Sequence, residues 1–573
     1  MMWSEGAKKV RRLLGATICA AVLALPTLGL CIGPPREPIG MMPMLDMQAM
    51  RDYATYLRDP TESLHLNAWF FSEMLIRTKE RPQPNFVGYN QPGAPRQFAK
   101  SGGFLSLMNQ RNEFNLQATY KLNDNISFYT WLRPFYDSIF DLKGGSSTGR
   151  HGRLLRNRWG NNFDLGNDAR SDPIVREAYV DLYFDQFFAR LGRQLVAWGK
   201  SDGVYLLDQV SPFNFRQPFK FEEQDIRIPQ WMINLNYRFG TVGNLQLLWL
   251  PDPEFAEFPG NAPSEGCAHD WISSASCLTN DLFVAFDQIF KNSGVPEGFP
   301  FIRRKPANTL ANSAVGVRFD SAYEGLTYSL AWMYKYPWFL VDFPGVNGKR
   351  CQGRGCAAQA TSNIRTTERI HIIGAAFDYQ FSNFLGIDNV VLRNESALYL
   401  DDLFTLPTTD VVQKNHFQTM WGLDKFAVDP RWLQTPSLAW LGFGAAPWFI
   451  SFQLWQDWII DADRWSNAYI DAGANSFSFD TFRVTNGLRN ALKMYMTSYI
   501  SKDLLADQTL HFENFFLGQT HFNDFWEHVQ LKYDWNEFVN LILGYNAFFG
   551  RPDGSIGSNK ANNYIYFSVK VGI

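Results

Sequence analysis

The chain alternates between polar and apolar residues over long stretches, and residues 113–122 (EFNLQATYKL) give the first clear case. Polar residues stand at every second position from Glu113 onward, and apolar residues such as Phe114 stand between them. A period of two predicts a β-strand whose two faces meet different surroundings. This stretch alone leaves two interpretations open, because a soluble sheet between a core and water alternates in the same way.

The same alternation recurs along the chain in a series of predicted hairpins. Short turns and long connections alternate between the predicted strands. Residues 176–184 (REAYVDLYF), for example, lead through Asp185 and Gln186 into residues 187–199 (FFARLGRQLVAWG). Strands of about ten residues joined by uneven loops are typical of a membrane-spanning barrel, which must close so that every backbone group is paired. We therefore predict an all-β fold, a transmembrane antiparallel β-barrel of about 16 strands with long extracellular loops. A strand at residues 66–76 (LNAWFFSEMLI) would raise the number to about 18.

In such a barrel, lipid would touch Phe114, Leu116 and Tyr120, and a wet lumen would touch the polar residues between them. The same parity places Arg393 and Glu395 together on an inward face. The predicted lumen-lining residues are Glu113, Gln117, Arg133, Glu177, Asp181, Arg190, Arg318, Arg393, Glu395 and Lys532. Two roles stay open for them, namely ladders of paired charges that fill the barrel and selection of a solute.

Parity also places Leu392, Asn394 and Leu398 on the outward face of the strand that carries Arg393. Asn394 fits a lipid-facing surface poorly unless it lies near the membrane boundary, because a polar group in lipid needs a hydrogen-bond partner.

The composition is consistent with a membrane barrel. Aromatic residues make up 16% of the chain, which is high for a soluble enzyme and suits aromatic girdles at two membrane interfaces. The net charge of −3 gives no reason to expect binding to nucleic acid.

The N-terminus has the pattern of an export signal. Four basic residues, beginning with Lys8, precede an apolar run at residues 13–30, so we assign residues 1–33 to a signal peptide. Residues 34–100 are predicted to form a periplasmic segment with a short amphipathic helix at 43–57 and a linker. The barrel is assigned to residues 101–573.

Four cysteines form two close pairs, Cys267 with Cys277 and Cys351 with Cys356, in loops rich in Gly and Pro. Close pairs in an exported chain predict disulfides. Zinc binding is the alternative, although His269 is the one further metal-ligating residue nearby.

Motifs of enzymes are weak, so we predict a protein that is not an enzyme and needs no cofactor or metal. Residues 145–149 (GSSTG) fit a nucleophile elbow, but an Arg-rich stretch follows where that elbow requires a helix. The Arg-rich stretch at 150–158 (RHGRLLRNR) would either grip the phosphates of lipopolysaccharide or remain a solvated loop.

Four stretches resemble a proteobacterial outer-membrane barrel family classed as a domain of unknown function. They are NQRNEFNLQATY, RLGRQLVAWGKSDG, QDIRIPQWMINLNY and VVLRNESALY. Members are often encoded beside RND-type exporters and a periplasmic lipid carrier, so the resemblance implies export or handling of a hydrophobic or lipid-like molecule. The last strand resembles the signal that the barrel-insertion machinery recognises, although it ends in Ile573 rather than Phe or Trp.

From these features we expect a protein of the Gram-negative outer membrane, in contact with its lipid and lipopolysaccharide. Its expected function is that of a channel or export component for a small hydrophobic or lipid-like solute. The alternative is a structural or adhesive barrel whose own loops plug the lumen.

Overall fold

The computed structural model describes the following residues: 63–78, 105, 107–138, 162, 173–214, 226–256, 301–303, 306, 309–338, 341–347, 349–352, 362–385, 387–405, 411–428, 447–460, 468–471, 481–484, 492–505, 508–519, 524–550, 556 and 563–572. All of them belong to one compact unit, Asp46–Ile573. The predicted signal peptide and the predicted helix at 43–57 lie outside the described residues.

The described residues form β-strands and one short 3-10 helix, Leu310–Asn312. The strands are β1 (Leu64–Arg77), β2 (Leu107–Asn123), β3 (Ile126–Leu132), β4 (Phe135–Asp137), β5 (Val175–Phe184), β6 (Phe187–Gln194), β7 (Gln230–Arg238), β8 (Asn244–Leu250), β9 (Phe301–Arg303), β10 (Ala314–Tyr323), β11 (Leu326–Lys335), β12 (Val341–Val346), β13 (Lys349–Arg350), β14 (Ser362–Thr366), β15 (Ile370–Phe384), β16 (Ile387–Thr405), β17 (Val411–Val428), β18 (Trp448–Ile459), β19 (Ala468–Asp471), β20 (Thr481–Val484), β21 (Leu492–Leu504), β22 (Leu510–Gln519), β23 (Asp524–Asp534), β24 (Val539–Phe549) and β25 (Tyr564–Gly572).

Eighteen of these strands form a closed antiparallel barrel. They are β1–β3, β5–β8, β10, β11, β15–β18 and β21–β25, and each pairs with the next along the chain. The last strand, β25, returns to pair with β1, where Phe70 lies opposite Val571. The predicted fold class is therefore confirmed. Closure leaves no strand edge, which is the condition for a sheet to span lipid.

The predicted number of about 16 strands was too low, and the alternative with about 18 holds. The additional strand is β1, which covers the stretch 66–76 and pairs with β2 along its whole length. The barrel therefore begins at Leu64 and not at residue 101, inside the segment that we had assigned to a helix and linker. The alternation is hard to see in β1 because Trp69 and Phe71 are apolar residues on the inward face.

Three smaller features accompany the barrel. After a break at Arg133 and Pro134, β4 continues the path of β3 along β2. The strands β9, β12, β13 and β14 form a separate four-stranded sheet, and β19 and β20 form a short hairpin beside the end of β16. The sequence analysis predicted neither the separate sheet nor the short hairpin.

The two faces of each barrel strand differ in the way that the alternation predicted. On β2, Glu113 is 2% exposed on the inward face, whereas Phe114 and Tyr120 are 40% and 42% exposed on the outward face. Large apolar side chains are exposed on the outward faces of many other strands, including Leu247, Leu330 and Phe452. An apolar exterior around a closed barrel is the surface that hydrocarbon requires.

The connections divide the barrel into two ends. One end carries mostly short turns, such as 124–125, 185–186 and 324–325, although 429–447 also lies there, and the other end carries most of the long connections, although 406–410 and 520–523 are short. Because outer-membrane barrels have short periplasmic turns and longer extracellular loops, we call the first end periplasmic and the second extracellular. The described part of the chain contains no helix long and apolar enough to cross a membrane.

Candidate functional site

The connection between β6 and β7 folds into the barrel. We call residues 195–214 the inserted segment. Its apolar side chains Val196, Trp198, Leu206, Leu207 and Val210 are between 0% and 7% exposed. The inward faces of β7, β8, β11 and β15 also carry buried apolar side chains, namely Met232, Leu248, Met333, Ile370 and Ile372. This side of the interior is therefore a second hydrophobic core, where the sequence predicted a wet lumen.

Two glycines show how closely the inserted segment lies against the wall. A Cβ atom on Gly374 of β15 would overlap the side chain of Leu207, and one on Gly316 of β10 would lie 2.8 Å from the indole ring of Trp198. Close packing of this kind leaves no room for water between the segment and the wall.

Glu395 of β16 holds the inserted segment through backbone hydrogen bonds. Its carboxylate accepts the backbone N–H groups of Lys200, Ser201 and Leu207 at 2.5, 3.1 and 2.6 Å. The side chain is 0% exposed. The predicted inward direction of Glu395 agrees with the structure, but this residue faces the inserted segment and not water.

Arg393 joins the inserted segment to three strands. Its guanidinium donates to the backbone oxygen of Lys200 at 2.8 Å and to the carboxylate of Asp202 at 2.8 Å. The same group pairs with Asp424 of β17 at 2.8 Å and donates to Ser451 of β18 at 3.0 Å. Arg393 is thus a bridge whose charge is compensated by two carboxylates.

Side chains from other strands fix the remainder of the segment. Lys200 pairs with Asp378 of β15, and Arg318 of β10 donates to the backbone oxygen of Trp198 at 3.0 Å. The hydroxyl of Tyr399 donates to the backbone oxygen of Leu206. Because buried hydrogen bonds to charged groups are costly to break, the inserted segment is a fixed part of the interior.

The tip of the inserted segment crosses the interior. The backbone N–H of Asp202 donates to Gln453 of β18 at 2.8 Å. Gly203 lies beside the ring of Phe515 on β22, where a Cβ atom would be 2.5 Å from the ring, and its φ of +77° also favours glycine. The segment leaves the wall at β6 and reaches β22, which lies far around the ring of strands.

Burial of the inward side chains differs between the two ends of the barrel. Toward the extracellular end, inward residues are buried on strands all round the ring, including Arg77, Glu113, Met232, Ile372, Met420, Leu517, His528 and Tyr564. Toward the periplasmic end, many inward residues are partly or fully exposed, including Asn67, Gln117, Tyr129, Phe188, Arg190, Asp378, His511, Lys532 and Lys570, although Ser127, Asp181, Asp424 and Ser451 are buried there. We call the space that these partly exposed residues surround the vestibule.

The predicted lumen-lining residues have partners on the same strand, on neighbouring strands or in the inserted segment. The guanidinium of Arg190 donates two hydrogen bonds to the carboxylate of Asp181, at 2.7 and 2.9 Å. Glu177 accepts the backbone N–H of Leu195 at 3.2 Å, at the start of the inserted segment. The ammonium of Lys532 lies 3.6 Å from the carboxylate of Asp534 on the same strand.

The remaining predicted residues occupy both ends of the interior. Glu113 pairs with Arg111, and Gln117 accepts from Asn67 at 3.3 Å. Arg318 pairs with Asp320 at 2.7 Å. Arg133 is 1% exposed in the break between β3 and β4. Contact of any of these side chains with a passing solute stays a prediction.

Several predicted features lie outside the described residues, namely Cys267, Cys277, Cys356, the GSSTG motif and the Arg-rich stretch at 150–158. Cys351 directly follows β13, and its disulfide stays a prediction. In the described part of the chain, no group of three or more His, Cys, Asp or Glu side chains is arranged to hold a metal ion.

The sequence analysis missed the inserted segment, although a signal was present. Residues 195–214 contain nine apolar residues of the Val, Leu, Trp, Tyr and Phe types without strand alternation, interrupted by Gly199, Gly203 and Pro212. A long apolar stretch that fits neither lipid-facing strands nor an exposed loop indicates chain packed inside the barrel.

A closed barrel with an apolar exterior and a polar and aromatic vestibule defines an outer-membrane β-barrel of the porin-like class. Residues 96–572 match the family described as "Protein of unknown function (DUF1302)", and the chain belongs to this family. The predicted resemblance to an outer-membrane barrel family of unknown function is confirmed. No curated protein matches the chain.

Several solved porin structures are similar to the chain at low sequence identity. OccAB2 of Acinetobacter baumannii has a TM-score of 0.42 and 9% identity, over 89% of this chain and 98% of its own. OccK5 (OpdH) of Pseudomonas aeruginosa has a TM-score of 0.38 and 9% identity, over 89% and 97%. A BenF-like porin from Pseudomonas fluorescens Pf-5 has a TM-score of 0.41 and 7% identity, over 89% and 98%.

Proposed function

We propose that the chain is a porin-like channel of the Gram-negative outer membrane that takes a small hydrophobic or lipid-like solute from the periplasmic side. The observation that carries this proposal is the asymmetry of the interior. Many inward side chains are partly exposed around the vestibule at the periplasmic end, whereas those toward the extracellular end are mostly buried. A space that opens toward the periplasm is suited to accept solute from there.

The shape of the interior also supports a selective route in preference to a wide pore. The inserted segment is fixed to the wall by Glu395, Arg393 and Arg318, so it narrows the interior without depending on a flexible plug. An RND-type exporter or a periplasmic lipid carrier, which the family resemblance implies as partners, would meet the barrel at the end where the vestibule opens.

A second candidate function is a structural barrel with a filled interior. It is favoured by the burial of inward residues such as Met420, His528 and Asn546, which are each 1% exposed. This candidate predicts no passage of ions or solute through the folded wild-type protein.

Single-channel recording in planar bilayers separates the two candidates. The channel proposal predicts discrete current steps for the wild type. If the wild-type protein gives no current although its mobility on a gel shows that it is folded, the structural barrel is favoured.

In a background without the native cysteines, the current through Lys532→Cys should be blocked by a bulky water-soluble thiol reagent added on the side of the short turns. Tyr533→Cys is the matched control, because Tyr533 is the outward neighbour and is 40% exposed. Equal block of both variants, or block of Lys532→Cys from the other side alone, would contradict a vestibule that opens to the periplasm.

A further inference from the structure

The vestibule contains a continuous column of aromatic side chains and one guanidinium on three adjacent strands. We call it the aromatic column, and it consists of Tyr129 of β3, Tyr179 and Tyr183 of β5, and Phe188 and Arg190 of β6. All five side chains lie on inward faces and are partly exposed. Part of each of these side chains is therefore accessible from the interior.

The rings of the aromatic column are stacked between Tyr129 and Tyr179 and tilted by 41° between Phe188 and Tyr183. The rings of Tyr129 and Tyr179 are 4.8 Å apart and 24° from parallel. The guanidinium of Arg190 lies 3.9 Å from the centre of the Tyr179 ring and 5.7 Å from that of Phe188. The rings of Phe188 and Tyr183 are 5.1 Å apart. Such contacts hold the rings in place, so a ligand would not have to order them on binding.

The polar groups beside these rings bond to one another. Arg190 donates two hydrogen bonds to Asp181, and the hydroxyl of Tyr183 donates to the same carboxylate at 3.4 Å. On the neighbouring strands, Asn67 donates to Gln117 at 3.3 Å. A sugar would need such groups for its hydroxyls, whereas an apolar ligand needs only the ring faces. The charge of Arg190 is already compensated, so the column does not attract an anion strongly.

The column continues toward the first strand of the barrel. Trp131 lies two residues from Tyr129 on the same face of β3, and its ring is 6.0 Å from that of Trp69 on β1. Trp69 is partly exposed, and the ammonium of Lys570 lies 4.9 Å from the centre of its ring. The vestibule wall from β1 to β6 is therefore rich in flat faces, while the opposite wall carries the inserted segment.

We infer that the aromatic column is a binding site for a solute with a flat, uncharged apolar body, of the aromatic or polycyclic hydrocarbon class. This inference rests on the proposed function and narrows its solute, since a rigid flat body loses little conformational freedom when it covers several fixed rings, whereas a flexible acyl chain must be ordered. A flat ring system placed against the column buries apolar area on both partners and displaces water from the exposed ring atoms.

Binding of 1-naphthol to the full-length protein in lipid nanodiscs tests the inference, with empty nanodiscs as the blank for partition into lipid. The wild type should bind 1-naphthol saturably and in excess of the blank. Phe188→Leu and Tyr179→Leu, which keep apolar volume but remove a ring face, should weaken this binding by about three- to tenfold. Tyr237→Leu is the matched control and should bind like the wild type, because Tyr237 is an outward tyrosine on β7, 41% exposed.

Three outcomes would overturn the inference. They are uptake no greater than the blank, an equal loss in Tyr237→Leu, and saturable binding of maltotriose or 1-decanol that the Phe188→Leu change weakens to the same extent. Mobility of unheated protein on a gel verifies that each variant is folded. The result is independent of the channel proposal: a barrel that binds 1-naphthol but gives no current refutes the channel alone, and a conducting barrel without binding refutes this site alone.

Discussion

At the scale of single residues, the Glu395 carboxylate shows how much of the interior depends on one side chain. It satisfies three backbone N–H groups that are buried away from water. Glu395→Ala leaves these donors without an acceptor, at a cost of about 1–3 kcal/mol for each. We expect the inserted segment to detach from the wall and become cleavable by trypsin at Lys200 in the folded barrel.

Two comparisons control this prediction. Glu395→Gln keeps one acceptor oxygen and should give an intermediate rate of cleavage. Glu537→Ala removes an exposed carboxylate in a periplasmic turn and should leave cleavage unchanged. Protection of Lys200 in Glu395→Ala at the wild-type level would show that the other contacts suffice to hold the segment.

Asn394 is a polar side chain on the outward face of β16. Because alternate residues of a strand point to opposite faces, it is directed toward lipid. Its amide donates to the backbone oxygen of Met420 at 2.9 Å and to the hydroxyl of Thr419 at 3.3 Å, and Ser396 donates to its oxygen at 3.2 Å. The side chain is 6% exposed, between the strands that carry Phe377 and Trp421. Asn394 is thus tolerated because its polar groups are bonded within the wall.

Asn394→Leu should therefore destabilise the barrel by about 1–3 kcal/mol, although it makes the outer surface more apolar. The measurement is the free energy of unfolding in urea from detergent micelles. Thr419→Val should cost less, and the double variant should lose less than the sum of the two, because both changes break the same bond. A stabilised Asn394→Leu protein would show that lipid contact outweighs the lost hydrogen bonds.

At the scale of elements, the sequence predicts a strand wherever one face meets polar surroundings and the other meets lipid. β2 and β5 meet this condition, and their alternation is visible by eye. β1 was the least certain strand because Trp69 and Phe71 break the polar face. The apolar stretch at 195–214 signals buried chain, but its position against the wall could not be predicted, because its contacts with Glu395, Arg393 and Gly374 are made with strands far along the chain.

The outward faces of β2 and β25 give an element-scale prediction. Leu116→Arg or Val569→Arg places a cation against lipid, which costs about 2–4 kcal/mol near the middle of the membrane. We expect less heat-modifiable protein in the outer-membrane fraction for both variants. Gln117→Arg, one residue away on the inward face, should insert like the wild type. Normal insertion of the outward variants, with failure of Gln117→Arg, would mean that the two faces are reversed.

At the scale of the whole molecule, the difference between vestibule and filled interior predicts a map of thiol accessibility. In a background without the native cysteines, Gln117→Cys and Asn236→Cys should react with a membrane-impermeant thiol reagent. Glu113→Cys and His528→Cys should not react, because the native residues are 2% and 1% exposed. The reactive positions should be labelled in intact cells after the outer membrane is permeabilised, and not before. Labelling from outside without permeabilisation would place the opening at the extracellular end.

The wall of the barrel is uneven in height, and the surrounding bilayer must respond to it. β16 and β17 have 19 and 18 residues, whereas β6 and β8 have 8 and 7. With a rise of about 3.3 Å per residue and a tilt of about 40°, a seven-residue strand spans about 18 Å, less than the apolar band of about 25 Å. The bilayer beside β6–β8 must therefore become thinner, or the barrel must tilt toward that side. We expect short-chain lipids to be enriched there. The bilayer next to the strands that bear Phe188 and Arg190 should therefore be thinner and more easily deformed than elsewhere around the barrel.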